Sequence, residues 1–190
     1  MQEHPAIELY LNLSNEAQDA QVEQVVSAID LDEVVNSTLQ AAAITQPVML
    51  TLLITDDAGI QEMNRKYREQ DKATDVLSFP LLEQPIVQAP AEQLWTHQES
   101  EDGEEQVSTP AFVTPPGMAT NLGDIVISWP TVQRQAREAG HEETTEFVYL
   151  LSHGVLHLIG YDDHTESGYQ AMVAIQQGVL QKLGQKAYRS

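Results

Sequence analysis

The feature that most constrains this chain is the segment 142–164, EETTEFVYLLSHGVLHLIGYDDH. Its apolar residues continue almost without interruption from 147 to 159, broken only by Ser152, His153, Gly154 and His157. The pattern predicts a helix from about 142 to 159, stopped by Gly160. The apolar run falls short of the eighteen or more residues a membrane span requires. His153 and His157 stand at i and i+4, so both imidazoles project from one helical face. Around them lie Leu150, Leu151, Val155, Leu156, Leu158 and Ile159. Polar rings in such surroundings need partners.

A metal ion is the partner this spacing suits, since two imidazoles one turn apart can grip one ion. Gly160 permits a left-handed turn, after which the chain can double back and offer a third ligand. His164 and Asp163 are the candidates. Three protein ligands leave a fourth position for water, the arrangement of a catalytic rather than a structural zinc. The chain has no cysteine, so disulfides, thiolate metal sites and thiol nucleophiles are all excluded. Gly154 follows the first histidine, where a metalloprotease of the HExxH type carries its general base, which argues against peptide-bond hydrolysis.

At 190 residues and 42% hydrophobic, the chain has the size of one compact domain. The N-terminus lacks a basic region followed by an apolar one, so a cytoplasmic protein without a membrane span is expected. Strands are expected at 7–13, 48–55, 76–79 and 124–128. Helices are expected near 21–29, 32–43, 58–69, 130–139, 142–159 and 166–183. Asp56 and Asp57 read as N-caps of the third helix. The class is α+β (mixed α/β), a mixed β-sheet packed against several helices. Residues 81–120 hold five prolines, an acidic run and no lysine or arginine, and read as a surface insertion.

The net charge of −20 opposes nonspecific binding to nucleic acid. Distribution matters more than the sum. Four of the nine basic residues, Arg65, Lys66, Arg68 and Lys72, fall within eight positions. One basic patch on an acidic protein can hold one polyanion in one place. Asp75 is a candidate to orient a ligand or Arg68, or simply to shape the entry to the strand after it. Asp124 carries the same two readings.

HGVLHLIGYDDH resembles the histidine signature of the YbeY family of bacterial rRNA maturation factors. NRKYR at 64–68, KATDVLSFP at 72–80 and LGDIVIS at 122–128 are similar to further family segments, in the same order. The resemblance runs from about 7 to 183, apart from the insertion. It implies one YbeY-like domain over residues 1–190, with a metzincin-like zinc-binding helix. It implies a zinc-dependent, single-strand-specific endoribonuclease acting in 16S rRNA 3′-end maturation and ribosome quality control. It further implies one Zn2+ per chain, held by His153, His157 and a third ligand, and a functional arginine at Arg68. The expected partners are single-stranded RNA, 16S rRNA and the ribosomal small subunit or its proteins. The family's third histidine falls at Asp163, with His164 one residue later, so His164 is the expected ligand and Asp163 the alternative. Two other functions remain open: a non-catalytic, zinc-containing ribosome-assembly factor, and a metzincin-like peptidase.

Overall fold

A computed structural model describes residues 6–95 and 119–184. Among them, four strands form one mixed sheet in the order β1-β2-β4-β3. These are β1 (Ala6–Asn12), β2 (Val48–Thr55), β3 (Val76–Pro80) and β4 (Thr120–Ser128). β1 pairs parallel with β2 and β2 parallel with β4, while β3 runs antiparallel along the outer side of β4. Six helices accompany them: α1 (Glu16–Ala28), α2 (Leu31–Ala41), α3 (Asp57–Arg68), α4 (Trp129–Ala139), α5 (Glu143–Ile159) and α6 (Glu166–Lys182). The mixed α/β single domain expected from the sequence is the one observed. No helix among the described residues is long and apolar enough to cross a membrane.

Side chains of a strand alternate between the two faces of a sheet, and β2 and β4 divide their apolar residues accordingly. Leu50, Leu52, Ile54, Ile125 and Ile127 join the main core with α5. Val126 turns the other way, into a smaller cluster with Ile60 of α3 and Leu77 of β3. The helix that is apolar nearly all round, α5, is the one packed on every side, against β3, β4, α2, α4 and α6. Phe147, Leu151, Val155, Leu156, Leu158 and Ile159 along it have no exposed surface.

Helix ends follow local chemistry. Asp56 caps α3 by accepting from the Gly59 amide at 2.8 Å, as expected. Asp57 has a different task. Its carboxylate receives Ser128 Oγ at 2.6 Å, Thr131 Oγ1 at 2.9 Å and Arg134 at 2.7 Å, tying α3 to the start of α4. These hydrogen bonds, the Arg134 one foremost, hold the Asp57 carboxyl below its ordinary range. α1 begins five residues earlier than expected, because Asn15 caps it through the Gln18 amide at 2.8 Å.

Residues 81–95, the first part of the segment read as a surface insertion, pack closely against the end of α5. A helix C-terminus leaves carbonyls without intrahelical partners. Here the Ile86 amide donates to Ile159 O at 3.0 Å and the Trp95 amide to Gly160 O at 2.9 Å. The Trp95 indole N–H donates to His157 O at 2.7 Å. The strap then holds the loop beyond: the Asp162 amide donates to Gln93 O at 2.9 Å, and Thr165 Oγ1 to Glu92 O at 2.6 Å. Residues 96–118, which include the acidic run of the expected insertion, lie outside the described residues.

Candidate metal centre

α5 places His153 and His157 side by side, one turn apart, on the face that borders a cleft of about 580 Å3. Their Nε2 atoms lie 3.0 Å apart and their ring centroids 4.6 Å apart. The opposite nitrogens are engaged. His157 Nδ1 lies 2.9 Å from the carbonyl of Tyr161. A carbonyl only accepts, so the Nδ1 of the neutral ring carries the hydrogen and Nε2 keeps its lone pair. His153 Nδ1 lies 3.5 Å from Gln176 Oε1. Burial first, and the neighbouring His153 second, push the His157 pKa down to about 4. The ring is therefore neutral at physiological pH, the form in which a histidine binds a metal.

Gly160, at φ +135°, turns the chain back over the pair. A Cβ there would stand 2.4 Å from Pro85 Cβ, so the close approach of the strap also requires glycine. The returning loop brings Asp163 to the histidines. One carboxylate oxygen lies 3.8 Å from His153 Nε2 and the other 3.8 Å from His157 Nε2. An ion bonded at about 2.0–2.2 Å to each donor can span these separations. Two imidazole lone pairs and one carboxylate oxygen fit a divalent cation such as zinc.

His164, the expected third ligand, is not brought to this group. Its Nδ1 and its backbone amide both bond Asp162 Oδ1, and its side chain is 84% exposed. The Asp162 carboxylate, by that hydrogen bond first and by its charge second, raises the His164 pKa. A second acidic and imidazole group, Asp162, Asp163 and His164, lies beside the first and shares Asp163 with it.

Arg68, at the end of α3, lines the same cleft. One of its terminal nitrogens donates to the carbonyl of Ser78, and its guanidinium carbon lies 5.4 Å from the Phe79 ring centroid. Its basic neighbours lie elsewhere: Arg65 pairs with Glu62, and the Lys66 ammonium stands 5.3 Å from the Tyr67 ring centroid. Asp75 does not orient Arg68. It accepts from its neighbour's amide, Val76 N, at 2.8 Å and from Gln135 Nε2 at 3.3 Å, so it shapes the entry to β3.

Gly154 faces the sheet. A Cβ on it would lie 2.8 Å from Ile125 Cγ2, while its carbonyl accepts from Ser78 Oγ at 3.3 Å. A glutamate could not occupy this position without displacing the Ile125 side chain.

Two residues at the site escaped the reading of the sequence. Trp95 sits in a stretch whose composition suggested only a solvated loop. Gln176 lies on α6 in register with the buried Gly168, Met172 and Leu180, and is itself 1% exposed. A polar residue on an apolar stripe was the signal that could have found it.

A family model described as endoribonuclease YbeY matches residues 12–184. An endoribonuclease YbeY of Dehalococcoides mccartyi is 38% identical over 159 residues, covering 84% of this chain and 88% of the relative. That of Roseiflexus sp. RS-1 is 39% identical over 155 residues, covering 81% and 82%. That of Synechocystis sp. PCC 6803 is 43% identical over 138 residues, covering 72% and 64%. With the family model spanning nearly the whole chain and two of these relatives this similar over four fifths of it, the chain belongs to the YbeY endoribonuclease family.

Proposed function

We propose that this protein is a zinc-dependent, single-strand-specific endoribonuclease that acts on 16S rRNA, in 3′-end maturation and ribosome quality control, in contact with the small subunit. The observation that carries the reading is the meeting, in one cleft, of a three-donor metal group and a guanidinium. His153, His157 and Asp163 would hold the ion, with one Zn2+ per chain. Asp163 is preferred to His164 because its oxygens face both Nε2 atoms while His164 is engaged by Asp162.

Zinc held there supplies Lewis-acid polarisation of a phosphoryl oxygen and activation of a water nucleophile near neutral pH. The chain's own residues prepare the rest. His153 and His157 turn their Nε2 atoms to one point, and the His157 ring is neutral with its hydrogen on Nδ1. Arg68 gives one donor to Ser78 O and keeps others for phosphate oxygens, in a fork that lysine cannot reproduce. Its position beside the metal group suits the charge that develops on phosphorus oxygens during cleavage.

The peptidase alternative finds little support. Among the described residues β3 is an edge strand, and a peptide would pair there with the backbones of Val76, Ser78 and Pro80, which point away from β4. The Val76 amide is already taken by Asp75, the Ser78 carbonyl by Arg68, and Pro80 has no N–H. The assembly-factor alternative needs a closed metal site. Among the described residues the group around the two histidines holds three ligands, which leaves a position for water.

The test is single-turnover cleavage of a defined single-stranded RNA, alongside the same sequence as a duplex, with and without chelator. Wild-type protein should cut the single strand alone, and chelator or His157→Ala should abolish the cut. Cleavage undiminished in His157→Ala would reject the reading.

A further inference from the structure

We infer that Gln176 is a positioning residue for the metal centre: it holds His153 in the tautomer with hydrogen on Nδ1, leaving Nε2 bare for the ion. The inference rests on the reading of His153 as a metal ligand and concerns a residue outside the ligand set.

A buried amide must satisfy both its ends. The Gln176 side chain is 1% exposed, so solvent cannot serve it. Its Nε2 lies 3.1 Å from the carbonyl oxygen of Tyr149, one turn before His153 on α5. A carbonyl accepts and never donates, so the NH2 end of the amide is fixed toward Tyr149. A flipped amide would set two acceptor oxygens against each other. The other end, Oε1, is thereby fixed toward His153 Nδ1 at 3.5 Å. That oxygen also accepts only, so it bonds the ring nitrogen facing it only when that nitrogen carries hydrogen.

The direction of control therefore runs from α5 to α6 and back. The Tyr149 carbonyl orients the amide, and the amide orients the imidazole. His157 reaches the same state through a backbone carbonyl of its own loop. With both hydrogens on Nδ1 the two Nε2 lone pairs face each other 3.0 Å apart, an arrangement that a cation relieves; without a cation, a hydrogen on His153 Nε2 bridges the pair instead, so the hold of Gln176 on the ring is exerted in the metal-bound state. A metal-bound histidine owes its ring orientation and basicity to the acceptor behind it. On α6 the cost of a buried amide at an otherwise apolar position is offset only if the amide serves the neighbouring helix.

Two readouts test this. In zinc-loaded wild-type protein at pH 8, long-range 15N–1H spectra should show the His153 Nδ1 hydrogen protected from exchange. Gln176→Leu keeps the bulk and removes the acceptor. It should expose that hydrogen to exchange and weaken zinc binding about ten- to a hundredfold in a competitive chelator titration. Gln176→Glu restores an acceptor and should keep the protection. An unprotected Nδ1 hydrogen in zinc-loaded wild type would overturn the inference without recourse to any variant. So would a folded Gln176→Leu with wild-type protection and zinc affinity. Absence of zinc binding in wild type would instead strike the proposed function, and this inference with it.

Discussion

Replacing Gly154 by alanine sets two known effects against each other where α5 packs on Ile125 of the sheet. In a helix interior, alanine is favoured over glycine by about 0.8–1.0 kcal/mol. Against this, the new Cβ would stand 2.8 Å from Ile125 Cγ2 and 3.1 Å from Ile125 Cδ1. Ile125 has no exposed surface, so it cannot swing into solvent. Overpacking of a closed core costs about 1–3 kcal/mol. The net expectation is a loss of roughly 0–2 kcal/mol, opposite in sign to what helix propensity alone would give. Urea unfolding of the chelator-treated protein measures it, since metal linkage is then removed and a change in midpoint at constant slope reports stability. Ile125→Val removes the Cδ1 contact, so the penalty of Gly154→Ala should shrink by about 1 kcal/mol in that background. A Gly154→Ala protein stabilised by about 1 kcal/mol would refute the steric reasoning, because propensity would then be acting unopposed.

Three further outcomes are expected. Asp163→Ala should lower zinc affinity by tenfold or more beyond His164→Ala in a chelator titration, and the reverse ranking would make His164 the ligand. Arg68→Lys should retain zinc and cleave about ten- to a thousandfold more slowly at saturating enzyme, with the loss in kcat rather than KM, whereas a wild-type rate would remove Arg68 from the mechanism. Metal-free protein should lose stability on acidification, because His157 takes up a proton less readily folded, at about 4, than unfolded, at its ordinary value of 6.5. The unfolded state binds more protons in that window, so stability present above pH 6.5 falls as pH drops toward 4, by on the order of 3 kcal/mol. Urea midpoints unchanged from pH 7 to pH 4 would contradict it.

The central helix was legible because its apolar run leaves it nowhere to go but the interior, and the histidine spacing fixed their common face. β2 was legible as a short apolar run of strand length, 48–55, though not how its residues divide between the two faces of the sheet. The loop after Gly160 has no period. Asp163 and His164 differ by one position, and what places them is the capture of His164 by Asp162, a local contact that spacing does not encode. The packing of residues 81–95 was not legible from composition. Their prolines and acidic residues suggest solvent, yet their backbone amides meet the free carbonyls of α5, and composition says nothing of backbone hydrogen bonds. The start of α1 was missed where only apolar periodicity was followed. Asn15, with glutamine three residues on, was a capping signal in plain view.

The strand order has a consequence for the time at which the site comes into being. β4 lies between β2 and β3, yet it follows both in the chain. During synthesis, which proceeds at about 5–20 residues per second, β3 emerges well before the strand it pairs with. Arg68 is present by then, anchored to nothing until β3 finds its place. The two histidines come later still, and Gln176 on α6 after them. A half-made chain thus carries Arg68 without His153 and His157. Whatever cutting power the cleft has can be acquired only once its C-terminal helices have docked, so a growing chain cannot attack RNA around it before its own fold is nearly complete.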